Sequence, residues 1–530
     1  MKLKKIFIAL LLFIVCIGCI NAISAEDIDN NMPNIDPDTN IDSGNGTGDN
    51  INPDTNTDMG NNNENNADPT TGPDIANDTG NDASSDSTQE NPAETGGEQS
   101  GGDDAGDATR LSPYEQFCND LNQNDGTIYL TGNIKISSPF IIKQKTTIDG
   151  NGFSIDAQHK TFIFKTYTTV TLKNLILKNG KSDKGGAIWA VKGGLNVDNC
   201  QFISNKATES GGAIFSKGDV TIKNSKFTSN TANEAAGAVA ITYGHLTVKD
   251  STFEKNSIET TKSSGYGGAI WMLKSSSKIT GTTFKSNKCL SKSLKSHSKA
   301  TKYKFNGGAV SYGYGTSHSL IDCTFSGNKA SNHGGSIFVY KSNSLKIDNC
   351  KFDKNRAGYE DGGAISFSGK KMTVTNSKFT NNLAYEDGGA IDSYSLTGKK
   401  IYITIKKSTF ESNTAYKCAG AIWMGVKTGY TIENSKFIKN KATNAGAIEA
   451  EAGTAKITKC TFKSNKAAKV TSWVVKTKSG ARLSHSGGAI VVKNKCTIIK
   501  STFQGNKATY GNSVKVEGGK LTSKGNKGIK

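Results

Sequence analysis

A Phe-x-x-Asn tetrapeptide recurs eleven times, on Phe202, Phe227, Phe253, Phe284, Phe325, Phe352, Phe379, Phe410, Phe437, Phe462 and Phe503. Successive copies are 25, 26, 31, 41, 27, 27, 31, 27, 25 and 41 residues apart. A period near 26 with occasional insertions describes stacked coils that each pack only on their neighbours. A second element keeps step with the first: Gly-Gly-Ala-Ile or a close variant, as at Gly211–Ile214, Gly267–Ile270, Gly362–Ile365, Gly388–Ile391 and Gly487–Ile490. Between it and the next Phe lies a short alternating run such as Val220-Thr-Ile222. Alternation of apolar and polar residues marks a half-buried strand.

Each repeat therefore reads as three short strands: one opened by Gly-Gly-Ala-Ile, one from the alternating run, and one from Ser-x-Phe. The residue two before each Phe is small, and Asn, Asp or Gly stands just ahead of it in eight of the eleven coils. Those three residue types tolerate the left-handed backbone of a sharp bend. The expected fold is all-β, a right-handed parallel β-helix of about 14 coils at roughly 4.8 Å per coil. Proline is absent after Pro139, as a ladder of backbone donors requires. Ser112-Pro-Tyr-Glu115 carries the signature of a helix start, so residues 112–122 are expected to be a helix capping the first coil.

The chain divides into three compositions. In 1–25, Lys2, Lys4 and Lys5 precede an apolar run over 6–20 and the small residues Ala22 and Ala25, the pattern of an export signal. The alternative is an uncleaved N-terminal anchor. Residues 26–109 hold 21 Asp or Glu and no Lys or Arg, with too few apolar side chains to offset the entropy of ordering, so a disordered acidic tether is expected. Residues 110–530 form the β-helix domain; with 62 basic against 26 acidic residues they carry +36, although the whole chain shows only +18. A field of that sign favours anionic partners. Four of the cysteines (Cys200, Cys323, Cys350, Cys460) occupy the small-residue column, where they stand in for Ser.

The paired Gly-Gly-Ala-Ile and Phe-x-x-Asn repeats resemble the polymorphic outer-membrane-protein repeats of bacterial autotransporter adhesins. With the signal, the tether and the opening Gly126-Thr-Ile-Tyr-Leu to Thr147-Ile-Asp-Gly-Asn-Gly152, the chain looks still more like the adhesin-like surface proteins of methanogenic archaea. The resemblance spans roughly 125 to 520 and implies a secreted or cell-surface protein that mediates contact with glycans, cell wall or other cells.

Three sets of residues are candidate sites. Trp189, Phe215, Trp271, Phe338 and Trp423 follow the Ile column and are expected to point outward as a glycan-stacking strip, with packing beneath a loop as the alternative. Lys292, Lys295, Lys299, Lys302, Lys476, Lys478 and Arg482 lie in two insertions without acids and are candidates for gripping an anionic polymer, against a plain solubilising role. Glu360, Asp361, Glu386 and Asp387 come from two consecutive Tyr-Glu-Asp-Gly-Gly copies and lie near Asp392; they are candidates for Ca²⁺, for acid/base work, or for surface decoration. No catalytic constellation interrupts the repeat, so an adhesive or structural role is expected, with no cofactor beyond that candidate Ca²⁺. The alternative is a polysaccharide lyase or glycoside hydrolase of the pectin-lyase-like fold.

Overall fold

A computed structural model describes residues 110–123, 126–293, 304–468 and 486–529. The expected signal and tether lie outside the described residues. From Leu111 onward these residues form one body, a parallel β-helix.

Three long sheets run along the solenoid. The alternating runs make one of 15 strands, and the Ile and Phe columns make one of 14 strands each. Every pairing is parallel and in register, so like stands on like: Ile188 on Ile214, Leu195 on Val220, Phe202 on Phe227. Gly-Gly-Ala forms the bend ahead of the Ile strand, which begins at the Ile itself, as in Ile214–Ser216. A fourth sheet of 11 strands, from Lys181–Lys184 to Lys466–Ala467, extends the expectation of three strands per coil. Most of its strands span two residues, such as Thr231–Ala232, too few to show a period in sequence.

The interior is built from columns. The eleven Phe rings stack at centroid distances from 4.5 to 5.1 Å with interplanar angles of 2° to 10°. The coil rise sets that spacing, and burying each ring contributes about 2–3 kcal/mol. In the small-residue column, the backbone N–H of one coil donates to the side chain of the next, as from Cys200 to Ser225 (3.0 Å) and from Cys350 to Ser377 (3.0 Å). Cys200, Cys323, Cys350 and Cys460 are buried and free.

The Asn of each tetrapeptide is the most fully bonded side chain of its coil. Asn355 Oδ1 accepts from the backbone N–H and the side-chain amide of Asn328, both at 3.0 Å. Its own Nδ2 donates to Asn382 Oδ1 (2.9 Å) and to the carbonyl of Phe325 (3.0 Å). The same pattern runs unbroken from Asn205 to Asn506.

The expected bends are present. The residue ahead of the small column has φ between 48° and 60° at Asn199, Asn224, Asp250, Gly281 and Asn349, and also at Lys407, Lys459 and Lys500. The helix α1 (Pro113–Gln123) caps the first coil. Ser112 N–H donates to Glu115 Oε2 (2.9 Å) and Glu115 N–H donates to Ser112 Oγ (3.3 Å), while Phe117 packs edge-on against Phe140 (4.8 Å).

Candidate functional site

The aromatic column departs from expectation. Trp189 pairs with Phe215 in register, and these side chains point away from the Ile interior. Yet Phe215, Trp271 and Phe338 are only 1%, 3% and 2% exposed, and Trp189 and Trp423 are half-buried. Ala235, Ala236 and Tyr266, just ahead of the bends, pack over the same face and make a second core with Phe215, Ala240, Trp271 and Leu273. Large apolar side chains leave water when backbone can cover them. The five residues therefore do not form an exposed glycan platform; Trp189 is held beneath Lys165, whose Nζ lies 4.3 Å from its ring centroid.

Of the lysine candidates, Lys292 is exposed, and its backbone N–H donates to Thr260 (2.8 Å). Lys295, Lys299, Lys302, Lys476, Lys478 and Arg482 lie outside the described residues.

The acidic candidates do come together. Asp361 Oδ1 accepts from Asp387 N–H (2.8 Å), and Asp387 Oδ1 accepts from Cys418 N–H (2.8 Å), so each carboxylate staples the next coil. Glu386 pairs with Lys417 (2.6 Å), and Asp361 Oδ2 lies 3.8 Å from His333 Nδ1. Asp392 is fully buried; Ser366 Oγ donates to its Oδ2 (3.1 Å), and its Oδ1 has no hydrogen-bond partner. Burial first, then repulsion from Asp392 and the other carboxylates, pushes Asp361 well above the usual range. Burial does the same to Asp392 and carries Asp387 to about 7. Tyr359 and Tyr385, each next to a Glu in sequence, meet at 6.2 Å, and Tyr385 meets Tyr416, which precedes Lys417, at 5.5 Å. Among the described residues no group of three or more His, Cys, Asp or Glu side chains is arranged to hold a metal ion. Glu360 is half-buried.

Several features were not anticipated. Glu449, fully buried in the same outward column, is held by Lys493 (2.9 Å), which also reaches Glu451 (2.7 Å). His318 is buried against the Tyr312 ring at 3.7 Å, with Nδ1 3.0 Å from Ser277 Oγ. A groove of about 310 Å³ runs over Asn151, Gly152, Asn174, Ile176, Asn199 and Gln201. The bend residues Asn174 and Asn199 signal it in sequence, because bends leave their side chains at a corner.

Fold and columns define a parallel β-solenoid protein. The family described as the right handed beta helix region matches residues 308–530. The Chlamydia polymorphic membrane protein repeat matches residues 199–217, a stretch holding both Phe202-x-x-Asn205 and Gly211–Ile214. No curated protein matches the chain. Among the described residues no helix is long and apolar enough to cross a membrane.

Proposed function

We propose that the chain is an exported, surface-displayed, adhesin-like structural protein without enzymatic activity, which mediates contact with glycans, cell wall or other cells. The observation that carries this reading is the uninterrupted Asn and Phe ladder, in which, among the described residues, no coil is broken to make a unique cleft. The polymorphic membrane protein repeat match supports surface display, as does the likeness of the signal, tether and opening coils to the adhesin-like proteins of methanogenic archaea. Protease treatment of intact expressing cells tests it: loss of the solenoid at the surface, with cytoplasmic markers retained, is the expected result. Full protection would sink the reading.

A second reading as a polysaccharide-degrading enzyme has one observation in its favour. Asp361, Asp387 and Asp392 have carboxyls that burial raises, with His333 close to Asp361. Raised carboxyls are what general acids need. A reducing-sugar and unsaturated-product assay over acidic polysaccharides decides it, and we expect no product.

A further inference from the structure

Lysines crowd one corner of the last three coils. Residues 434–468 and 486–529 together hold fifteen Lys and three Glu, with no Arg or Asp. Six of these lysines flank the buried Asn440, Asn465 and Asn506: Lys436, Lys439, Lys441, Lys463, Lys466 and Lys507. Five are exposed and Lys441 is half-buried. Lys441 stands in register on Lys466, and Lys466 bridges to Lys507, so three cations form one column.

Like charges side by side on neighbouring strands destabilise a sheet unless something neutralises them. At three earlier positions along this corner the neutralising group is a carboxylate, although, among the described residues, Lys329 also stands on Arg356 there without one. Lys285 pairs with Glu254 (3.2 Å), Lys288 with Glu259 (3.9 Å) and Lys378 with Glu411 (3.4 Å). Among the described residues none of the six lysines is in an ion pair, and the corner positions of these coils (Thr461, Ser464, Thr502, Gln504, Gly505) carry no acid. The backbone beneath is fixed by the Asn ladder, whose bonds here are 2.9 to 3.0 Å. The cations are therefore set at one coil rise, roughly 4.8 Å, along a straight line.

We propose that this corner is a binding site for a linear acidic polysaccharide lying along the solenoid axis. Its carboxylates or sulfates take the place that Glu254, Glu259 and Glu411 hold in earlier coils. Among the described residues the column itself offers little of what single-stranded nucleic acid wants: no aromatic stands in register between its lysines as a platform for bases, and no Arg stands among them as a fork for phosphate. The inference goes beyond surface display and does not depend on it.

The test compares two variants of the full chain, each losing six charges. One carries Lys→Gln at 436, 439, 441, 463, 466 and 507. The other carries Lys→Gln at the exposed Lys173, Lys217, Lys223, Lys278, Lys371 and Lys399, away from this corner. Thermal melting confirms that both fold. Affinity for polygalacturonate and for heparin is measured across a salt series, which separates carboxylate from sulfate recognition. The corner variant should bind the better of the two at least about tenfold more weakly, with a shallower dependence on salt. The control variant should stay within about twofold of wild type. Equal losses in the two variants, or none in the corner variant, would overturn the proposal by reducing it to net charge. Tighter wild-type binding to single-stranded DNA than to both polysaccharides would overturn the choice of ligand. Either failure leaves the surface-display reading standing, since protease accessibility measures that separately.

Discussion

Replacing Asn355 by Ala tests whether the Asn ladder holds the coils together. The change removes four side-chain hydrogen bonds: two accepted from Asn328 and two donated, to Asn382 and to the Phe325 carbonyl. Asn328 N–H then has no acceptor, and neither does the Asn328 amide hydrogen that faced Asn355. The Phe325 carbonyl loses one donor but keeps its place in the parallel ladder with Phe352. The two orphaned groups lie in an interior where Asn328, Phe325 and Asn355 are 0% exposed. Each orphaned buried group costs about 1–3 kcal/mol, and relaxation recovers part of this, so a loss of about 3–5 kcal/mol is expected. Ser377→Ala is the internal comparison. Ser377 Oγ accepts one bond, from Cys350 N–H (3.0 Å), and donates one to Thr375 O (2.7 Å), so a smaller loss of about 1–2 kcal/mol is expected. Urea unfolding followed by far-UV circular dichroism gives both values. Amide exchange should also quicken at Asn328 before it does in distant coils, since a coil touches only its neighbours. An Asn355→Ala shift below about 0.5 kcal/mol, or no larger than that of Ser377→Ala, would refute the ladder as a principal source of stability.

Gly363→Ala should destabilise by about 3 kcal/mol, because a Cβ there presses into the Gly389 carbonyl and the Leu383 backbone of the next coil; the same urea titration reads it. Lys459→Asn should raise stability by about 0.5 kcal/mol, since Lys459 holds φ at 54°, where Asn is better tolerated; an unchanged midpoint would count against strain at that bend. His318 has its pKa held down to about 3, from an ordinary 6.5, by burial and then by His245. The unfolded chain takes up that proton near 6.5 and the folded chain only near 3, so this contribution is lost as pH falls between those values. Asp387, raised to about 7, works in the opposite sense, its contribution being lost as pH rises toward that value. The comparison of wild type with His318→Phe isolates the histidine. Wild type should lose more melting temperature than the variant between about pH 7 and about pH 4.5, and parallel curves would remove His318 from the account. Addition of Ca²⁺ should leave the melting temperature unchanged, because Asp361 and Asp387 already spend an oxygen each on backbone N–H groups; a rise on titration would restore the acidic ladder as a metal site.

The columns are legible in the sequence because repetition turns one local rule into eleven copies of it. Left-handed bends could be placed from Asn199, Asn224 and Asp250 by residue preference. At Lys407, Lys459 and Lys500 preference is silent and only the register places them. The aromatic column shows where such reasoning stops. Alternation predicts which way Trp271 points, but whether Tyr266 and Ala235 cover it depends on how the preceding segment folds back. The acidic pair was visible as a repeated motif. That its carboxylates would be stapled to the next coil, and so raised, follows only from the inter-coil distances. The lysine corner is not legible in the sequence because its members come from three separate coils and meet only once the coils are stacked.

Consecutive asparagines are joined at 3.0 Å whether 25 residues separate them, as from Asn205 to Asn230, or 41, as from Asn287 to Asn328. Pitch and content are thus independent variables in this molecule. A coil can gain or lose more than a dozen residues between its Asn and its next Gly-Gly bend while the frame on either side keeps its registration. Change at that position is uncoupled from folding, so new recognition segments can be accepted there one coil at a time.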